Sequence, residues 1–314
     1  MEELNELFIE YDNNIKLNES DYDKMRKKRN LVLEEIRKDD NVMTFTPINL
    51  GSYKLKTGVK YKDNDYDIDC GIRLNINCDE LDQYDAEDCK NKIYEAIKEY
   101  REKKYKNKCI TVKYYEQGKP SYHIDFPVFA YDSETKVYYL ADGKKGNVTW
   151  AKSNPEELIE YLYSDDDNYR RIVRLFKKWN SKAFENEKKH SKAPSVALTI
   201  EVREWFDENN YDNDIDALIE IAKRIKNLII GNYIYKKNPF GETNLYYKMV
   251  EDEKCVSVFK SKIEEFINVL EETKKCVETS LYDASIKLKK VFQNFPEPKK
   301  EKVKESFGAN ARYA

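Results

Sequence analysis

The sequence predicts an α+β protein: a mixed sheet with helices, followed by an all-helical half. Two observations predict it. Between about residues 43 and 141 short β-branched and aromatic runs succeed one another, MTFTPI, YDIDCGIRLNI, CITVKYY, YHIDFPVFAY and KVYYLA, which is strand patterning. After Trp150 the apolar residues fall at helical spacing and stay there. A single helical stretch, Asp85 to Lys104, interrupts the strands, so a small mixed sheet is expected rather than a bundle.

In chain order, residues 1 to 40 are polar with apolar points at Leu4, Leu7, Phe8, Met25, Leu31, Val32 and Ile36, the spacing of a helical spine. Asn18, Ser20 or Asp21 caps its second segment. In the second half Pro155 stands at a first helical position, and further helices are expected over 166 to 187, 196 to 208, 213 to 230 and 254 to 291. The chain has 314 residues, more than most single domains hold. We expect an N-terminal part over 1–154, a helical part over 155–295, and a tail over 296–314, PEPKKEKVKESFGANARYA, that leaves the core.

The formal charge is −3 with a pI near 5.8. This argues against holding long nucleic acid by bulk electrostatics but leaves small anionic substrates open. The start, MEELNELFIEYDNN, lacks a basic region and an apolar region, and no run of roughly 18 apolar residues occurs, so a cytoplasmic protein with no membrane partner is expected. Six cysteines without a CxxC pair, beside two histidines, are read as reduced thiols rather than a zinc site. The richness in Lys, Asn, Ile and Tyr suits an AT-rich bacterial genome.

The chemistry lies in the strands. In Tyr66 to Ile76 the apolar Ile68, Cys70, Ile72, Leu74 and Ile76 alternate with Asp67, Asp69, Gly71, Arg73 and Asn75, which puts Asp67 and Asp69 on one strand face. Two carboxylates so placed repel unless a cation sits between them. Tyr122 to Phe129 repeats the logic and adds Asp125. Three carboxylates from two strands offer the hard oxygen ligands that Mg²⁺ or Mn²⁺ prefers, in the arrangement that a two-metal in-line displacement needs. Upstream, Gly51 permits close backbone approach, and the amides around Ser52 can face phosphate. Fourteen residues separate Ser52 from Asp67. No P-loop pattern is present.

A Gly-Ser turn, then a strand bearing DxD, then a separate strand bearing a third Asp is the pattern of the polymerase β-like nucleotidyltransferases. The strings GSYKLKTGVKYKDNDYDIDCGI, HIDFPVFAY, LFKKWN and APSVALTI, in that order, resemble the bacterial relatives of cyclic GMP-AMP synthase, the cGAS/DncV-like nucleotidyltransferases or CD-NTases. The resemblance implies a catalytic domain and a helical domain with the active site in the cleft between them. It further implies an enzyme that joins nucleoside triphosphates into a cyclic di- or trinucleotide, a second messenger that activates an effector in antiphage (CBASS) defence. Matched residue by residue, Ser52 holds the donor triphosphate; Asp67, Asp69 and Asp125 hold two metal ions; and Lys177 and Ser195 contact donor phosphates from the helical domain. Many relatives carry an aromatic after that serine to stack on the donor base, whereas this chain has Val196. Some relatives are conjugated through their C-termini by a partner protein, which draws attention to Ala314.

Other readings stand beside this one. Asp63, Asp65, Asp67 and Asp69 resemble a calcium loop, but the sixth and twelfth positions are Ile68 and Leu74, or Cys70 and Ile76, where Gly and Glu are needed. His123 is read as structural. The same carboxylates would serve a terminal transferase acting on RNA or protein, although the charge of −3 counts against an RNA primer. A silent nucleotide-binding scaffold is the third reading. No nucleic acid activator is expected.

Overall fold

The computed structural model describes residues 1–61, 66–76, 78–100, 102–116 and 119–298. Two helices come first, α1 (Glu2–Ile15) and α2 (Glu19–Lys38), divided where Asn18 caps α2 by accepting from the Asp21 amide while Asp21 returns the contact. Strand β1 (Phe45–Leu50) runs into the short α3 (Gly51–Leu55) and, after a loop, β2 (Tyr66–Leu74). Helix α4 (Ala86–Ala96) precedes β3 (Lys103–Tyr105), β4 (Ile110–Glu116), β5 (Lys119–Phe126), β6 (Val128–Tyr131), β7 (Tyr138–Lys144) and β8 (Asn147–Ser153). The eight strands form one sheet in the order β3-β4-β5-β2-β6-β7-β8, with β1 antiparallel to β2. Strand β2 is parallel to both β5 and β6, and the remaining pairs are antiparallel.

The second half comprises α5 (Pro155–Leu162), α6 (Asp167–Ala183), α7 (Ser195–Glu208), α8 (Asp214–Asn227), the hairpin β9 (Ile229–Ile230) and β10 (Tyr233–Ile234), then α9 (Tyr247–Val250), α10 (Glu253–Cys276) and α11 (Leu281–Leu288). Two cores result. Leu4, Leu7, Phe8, Tyr11 and Ile15 of α1 are buried with Phe176, Trp179, Phe266 and Phe292 of the helical body. Met25, Val32, Leu33 and Ile36 of α2 are buried with Ile68, Ile72, Ile124 and Val128 of the sheet. The spine therefore splits, one helix to each body, and cross-ties them. Leu55, Leu162 and Ile200 form a further buried contact among α3, α5 and α7.

Several expectations need correction. The stretch Asp85 to Lys104 is helical only to Ala96; Ile97 leaves helical geometry and the chain turns into β3. The run YHIDFPVFAY is two strands rather than one, because Pro127 has no N–H to give a ladder; its carbonyl instead accepts from the Ile72 amide at 2.8 Å. Strand patterning continues past Trp150 as β8, held by the Trp150 indole N–H on the Tyr84 carbonyl at 2.8 Å. The second half is not all helical, since Gly231, with φ of +59°, turns the β9–β10 hairpin. The expected helix over 254 to 291 is broken where Ser280 caps α11 by accepting from the Asp283 amide. Cys70, Cys89, Cys109 and Cys255 are buried thiols. Among the described residues no helix is long and apolar enough to cross a membrane. Asp63 and Asp65 of the calcium-loop reading, and the tail from 299 onward with Ala314, lie outside the described residues.

Candidate active site

On β2 the period-two pattern resolves as written: Ile68, Cys70, Ile72 and Leu74 are buried, and Asp67 and Asp69 stand on the other face, Asp67 exposed and Asp69 half-buried. The parallel register sets Asp67 opposite His123 and Asp69 opposite Asp125. Asp69 and Asp125 thus share a face on neighbouring strands. Asp125 is in turn paired across β4 with Thr111, whose hydroxyl donates to Asp125 Oδ1. Lys106 Nζ stands 3.4 Å from both of its carboxylate oxygens.

The end of β1 brings the Gly-Ser turn onto this face. Leu50 pairs with Asp69, and Gly51 follows with φ of +57°, in the left-handed region that side chains avoid. A Cβ on Gly51 would lie 1.9 Å from Asp69 Oδ2, so glycine is required both by the turn and by the carboxylate against it. Ser52 follows as the second residue of α3.

The opposite wall is α6. Arg171 pairs with Asp214 at 2.7 Å, and Arg174 grips both oxygens of Asp12 on α1 at 2.6 and 2.7 Å. Three cations on this helix donate to carbonyls of the loop after α3: Arg174 to Lys56 O at 2.9 Å, Lys177 to Thr57 O at 3.0 Å, and Lys178 to Lys60 O at 2.8 Å. Lys177 also reaches Thr57 Oγ1 at 3.2 Å. Burial pushes the Lys177 ammonium down to about 8, against the pull of Asp67 and Asp69. Burial, followed by the charges of Asp67 and Asp125, holds Asp69 well above the usual carboxylate range, with Lys177 and Lys106 only partly offsetting it. The face carries more negative charge than its own side chains neutralise.

That imbalance is the test of the metal reading. Hard oxygen donors at facing positions, one of them raised by burial and then by its neighbours' charges, suit a divalent cation. Among the described residues no three His, Cys, Asp or Glu side chains are yet drawn to ligating distances; Asp125 is tied towards β4. The donor chemistry fits Mg²⁺ or Mn²⁺.

Between the walls lies a cleft of about 950 Å³. Gly51, Ser52, Asp67, Asp69, Lys177 and Ser195 all line it, with His123 and Val196. Asp125 does not line it but stands in register with Asp69, which does. Ser195 opens the fourteen-residue α7, whose first turn has no side-chain cap, and such an end favours an anion. Tyr61, Lys108, Lys192 and Gln293 also line the cleft. The sequence pattern did not single them out, because each is brought in by tertiary packing from a different segment. Lys192 is half-buried beside the Tyr61 ring at 5.7 Å, and burial lowers its pKa.

A protein-family model, the Second Messenger Oligonucleotide or Dinucleotide Synthetase (SMODS) domain, matches residues 1–165. The chain belongs to this family. Its members are nucleotidyltransferases. Solved structures share the fold across most of the chain. The CD-NTase CdnG of Bradyrhizobium diazoefficiens, in complex with GTP, is 15% identical with a TM-score of 0.67, covering 88% of this chain and 93% of that one. Escherichia coli DncV, in a 3'-deoxy GTP bound form, is 15% identical with a TM-score of 0.70, covering 90% and 92%. CdnC of E. coli MS115-1, in complex with HORMA-deltaN, is 13% identical with a TM-score of 0.68, covering 93% and 98%. These likenesses establish the polymerase β-like CD-NTase fold, sheet body and helical body together.

Proposed function

We propose that the chain is a metal-dependent cyclic oligonucleotide synthase whose site comprises Gly51, Ser52, Asp67, Asp69, Asp125, Lys177 and Ser195. The observation that carries this is the convergence of the Gly51-Ser52 turn, the β2 carboxylates, Lys177 and the α7 N-terminus on one cleft of about 950 Å³. Residues 1–154 act as the catalytic part, 155–295 as the helical substrate-binding part, and 296–314 as the tail.

In this reading Ser52, Lys177 and Ser195 hold the donor triphosphate, Lys177 by exchanging part of its hold on Thr57 for phosphate oxygens. Asp67, Asp69 and Asp125 supply the ligands for two Mg²⁺ or Mn²⁺ ions, which would activate the attacking hydroxyl and neutralise the leaving pyrophosphate. A ribose hydroxyl oxygen bonds to the α-phosphorus, the bond to the β-phosphate side breaks, and Asp125 takes the hydroxyl proton. Each further transfer repeats this step, and the last closes the ring of two or three nucleotides. Val196 offers no ring for the donor base, so base choice falls to other side chains in the cleft. The product serves an effector protein in bacterial antiphage (CBASS) signalling from the cytoplasm, without a nucleic acid activator, as the charge of −3 favours. An accessory protein engages the tail.

The test is mass spectrometry of phosphatase-treated products from the protein, all four nucleoside triphosphates and Mg²⁺ or Mn²⁺, with and without phage-derived activators. A phosphatase-resistant cyclic product, lost in the Asp67→Ala, Asp69→Ala double variant, supports the proposal. Extension of an added RNA primer, or no product under any of these conditions, overturns it.

A further inference from the structure

Thr111 plays no part in the pattern that singles out the carboxylates, yet it is the closest partner of one of them. It lies on β4 with its side chain completely buried, directly across the antiparallel ladder from Asp125. Its hydroxyl donates to Oδ1 of that carboxylate. A carboxylate's terminal torsion is soft, so one directed donor decides which oxygen faces which way. The Lys106 ammonium, 3.4 Å from both oxygens, supplies charge without choosing between them.

The backing of this contact is unusually firm. Lys90 is wholly buried, and its ammonium donates to the carbonyls of Lys106 at 2.9 Å, Asn107 at 2.5 Å and Ala141 at 3.1 Å. A buried ammonium costs free energy unless it is fully hydrogen-bonded, and three carbonyls satisfy its three protons. The turn they fix carries Lys106, and Lys106 N closes it on the Cys109 carbonyl at 3.0 Å. The Cys109 thiol in turn lies 3.7 Å from the Thr111 hydroxyl. Turn, strand and hydroxyl therefore form one rigid support behind a single carboxylate.

We infer that Thr111 is a positioning residue for Asp125. Its hydroxyl occupies Oδ1 and leaves Oδ2 as the oxygen that Asp125 offers to the divalent cation and the attacking hydroxyl. The inference rests on the cation-binding role proposed above for Asp125. A mere strand threonine would satisfy its own hydroxyl and nothing more, and the two roles differ in what a methyl in place of the hydroxyl does.

The experiment compares Thr111→Val, which keeps the shape, with Thr111→Ser, which keeps the hydroxyl. Mn²⁺ binding is read by electron paramagnetic resonance in the presence of a non-cleavable α,β-methylene nucleoside triphosphate, and turnover is read separately. Thr111→Val is expected to weaken Mn²⁺ binding about tenfold and to lower kcat about ten- to a hundredfold, with KM for nucleotide within about twofold. Thr111→Ser restores both to within about threefold. In an Asp125→Asn background, Thr111→Val changes Mn²⁺ binding by less than about twofold. Unaltered Mn²⁺ binding and kcat in Thr111→Val overturn the inference, as does an undiminished effect in the Asp125→Asn background. Should Thr111→Val fail to fold, Thr111→Ser against Thr111→Ala, differing by one oxygen, carries the same comparison. Asp67→Asn is the control for the underlying reading: if it retains activity the proposed site itself falls, whereas inactive Asp67→Asn beside unaltered Thr111→Val rejects the positioning role alone.

Discussion

On the sheet side of the cleft, Asp67 and Asp69 stand on a central strand, where burial raises Asp69 and the like charges of its neighbours add to the rise. On the helical side, Arg174, Lys177 and Lys178 are each hydrogen-bonded to carbonyls of a loop that the sheet body sends across. The first wall is locally destabilised and waits for positive charge. The second is satisfied, and would bind phosphate, as proposed, only by exchanging one partner for another. Strain is thus concentrated where chemistry is proposed, while the opposite wall holds the bodies in register.

The largest test of that contrast is Asp67→Ala with Asp69→Ala. Removing both metal-facing carboxylates is expected to lower product formation by about a thousandfold or more, since cation stabilisation of the transition state is worth several kcal/mol. The same change relieves repulsion, so the cation-free protein should melt no lower than the unaltered one. A clear fall in melting temperature would show that the sheet wall is not the strained one. Gly51→Ala sharpens the point. Its Cβ would strike Asp69 Oδ2, while a Cβ on Gly146, also at positive φ, meets nothing within 4 Å. Gly51→Ala should cost about 1–3 kcal/mol in stability and most of the activity, whereas Gly146→Ala costs backbone strain with activity intact. Urea unfolding and product yield, measured on both variants, check this.

The two walls also differ in how far the sequence shows them. The alternation around Asp67 and Asp69 was legible because a strand's side-chain period is two and a buried face must be apolar; Asp125 followed by the same rule. The Gly51 requirement was legible in kind, but its physical reason, the 1.9 Å approach to Asp69, needed the β1–β2 register. Lys177 sits in an amphipathic run where charges ordinarily face water, and periodicity could not show that it is buried or that Thr57 holds it. The resemblance, not the spacing, singled it out. Thr111, Tyr61 and Lys192 carry no local signal, because each gains its place from a partner far along the chain. Strand β8 and the β9–β10 hairpin escaped for a related reason: short strands pair by tertiary context more than by propensity.

A smaller effect tests the helical wall. In the folded protein Lys177 loses its proton at about 8 instead of the ordinary 10.5. Its folded pKa is depressed, so the folded state disfavours the ammonium below about 8, and the cation-free protein should gain stability as pH rises from 8 towards 10.5. Nucleotide binding runs the other way. Phosphate prefers the charged amine, so affinity for a non-cleavable nucleoside triphosphate should fall as pH rises through about 8. Lys177→Arg, which keeps its charge throughout, should bind with a flatter profile. Titration calorimetry at pH 7, 8 and 9 reads both; equal slopes for the two proteins would remove Lys177 from the phosphate site.

The smallest expected effect concerns the base. Val196 lies in the first turn of α7, lines the cleft, and packs against the cluster formed by Leu55, Leu162 and Ile200. An aliphatic side chain there can exclude water from a base but offers no π face to stack on. Val196→Tyr adds that face on a helix whose backbone is already placed, and stacking on an aromatic is worth about 1–3 kcal/mol per base. Part of that is offset by the ordering of the new ring and by its poorer packing on the aliphatic cluster. A fall of about fivefold in KM for nucleotide is therefore expected, about 1 kcal/mol, with kcat little changed because the gain applies to ground and transition states alike. The fall should appear with purine more than with pyrimidine triphosphates, given the larger stacking area. An unchanged KM for every base would mean that the donor base does not rest against position 196, and would turn attention to Tyr61, an aromatic that lines the cleft beside Lys178 and Lys192.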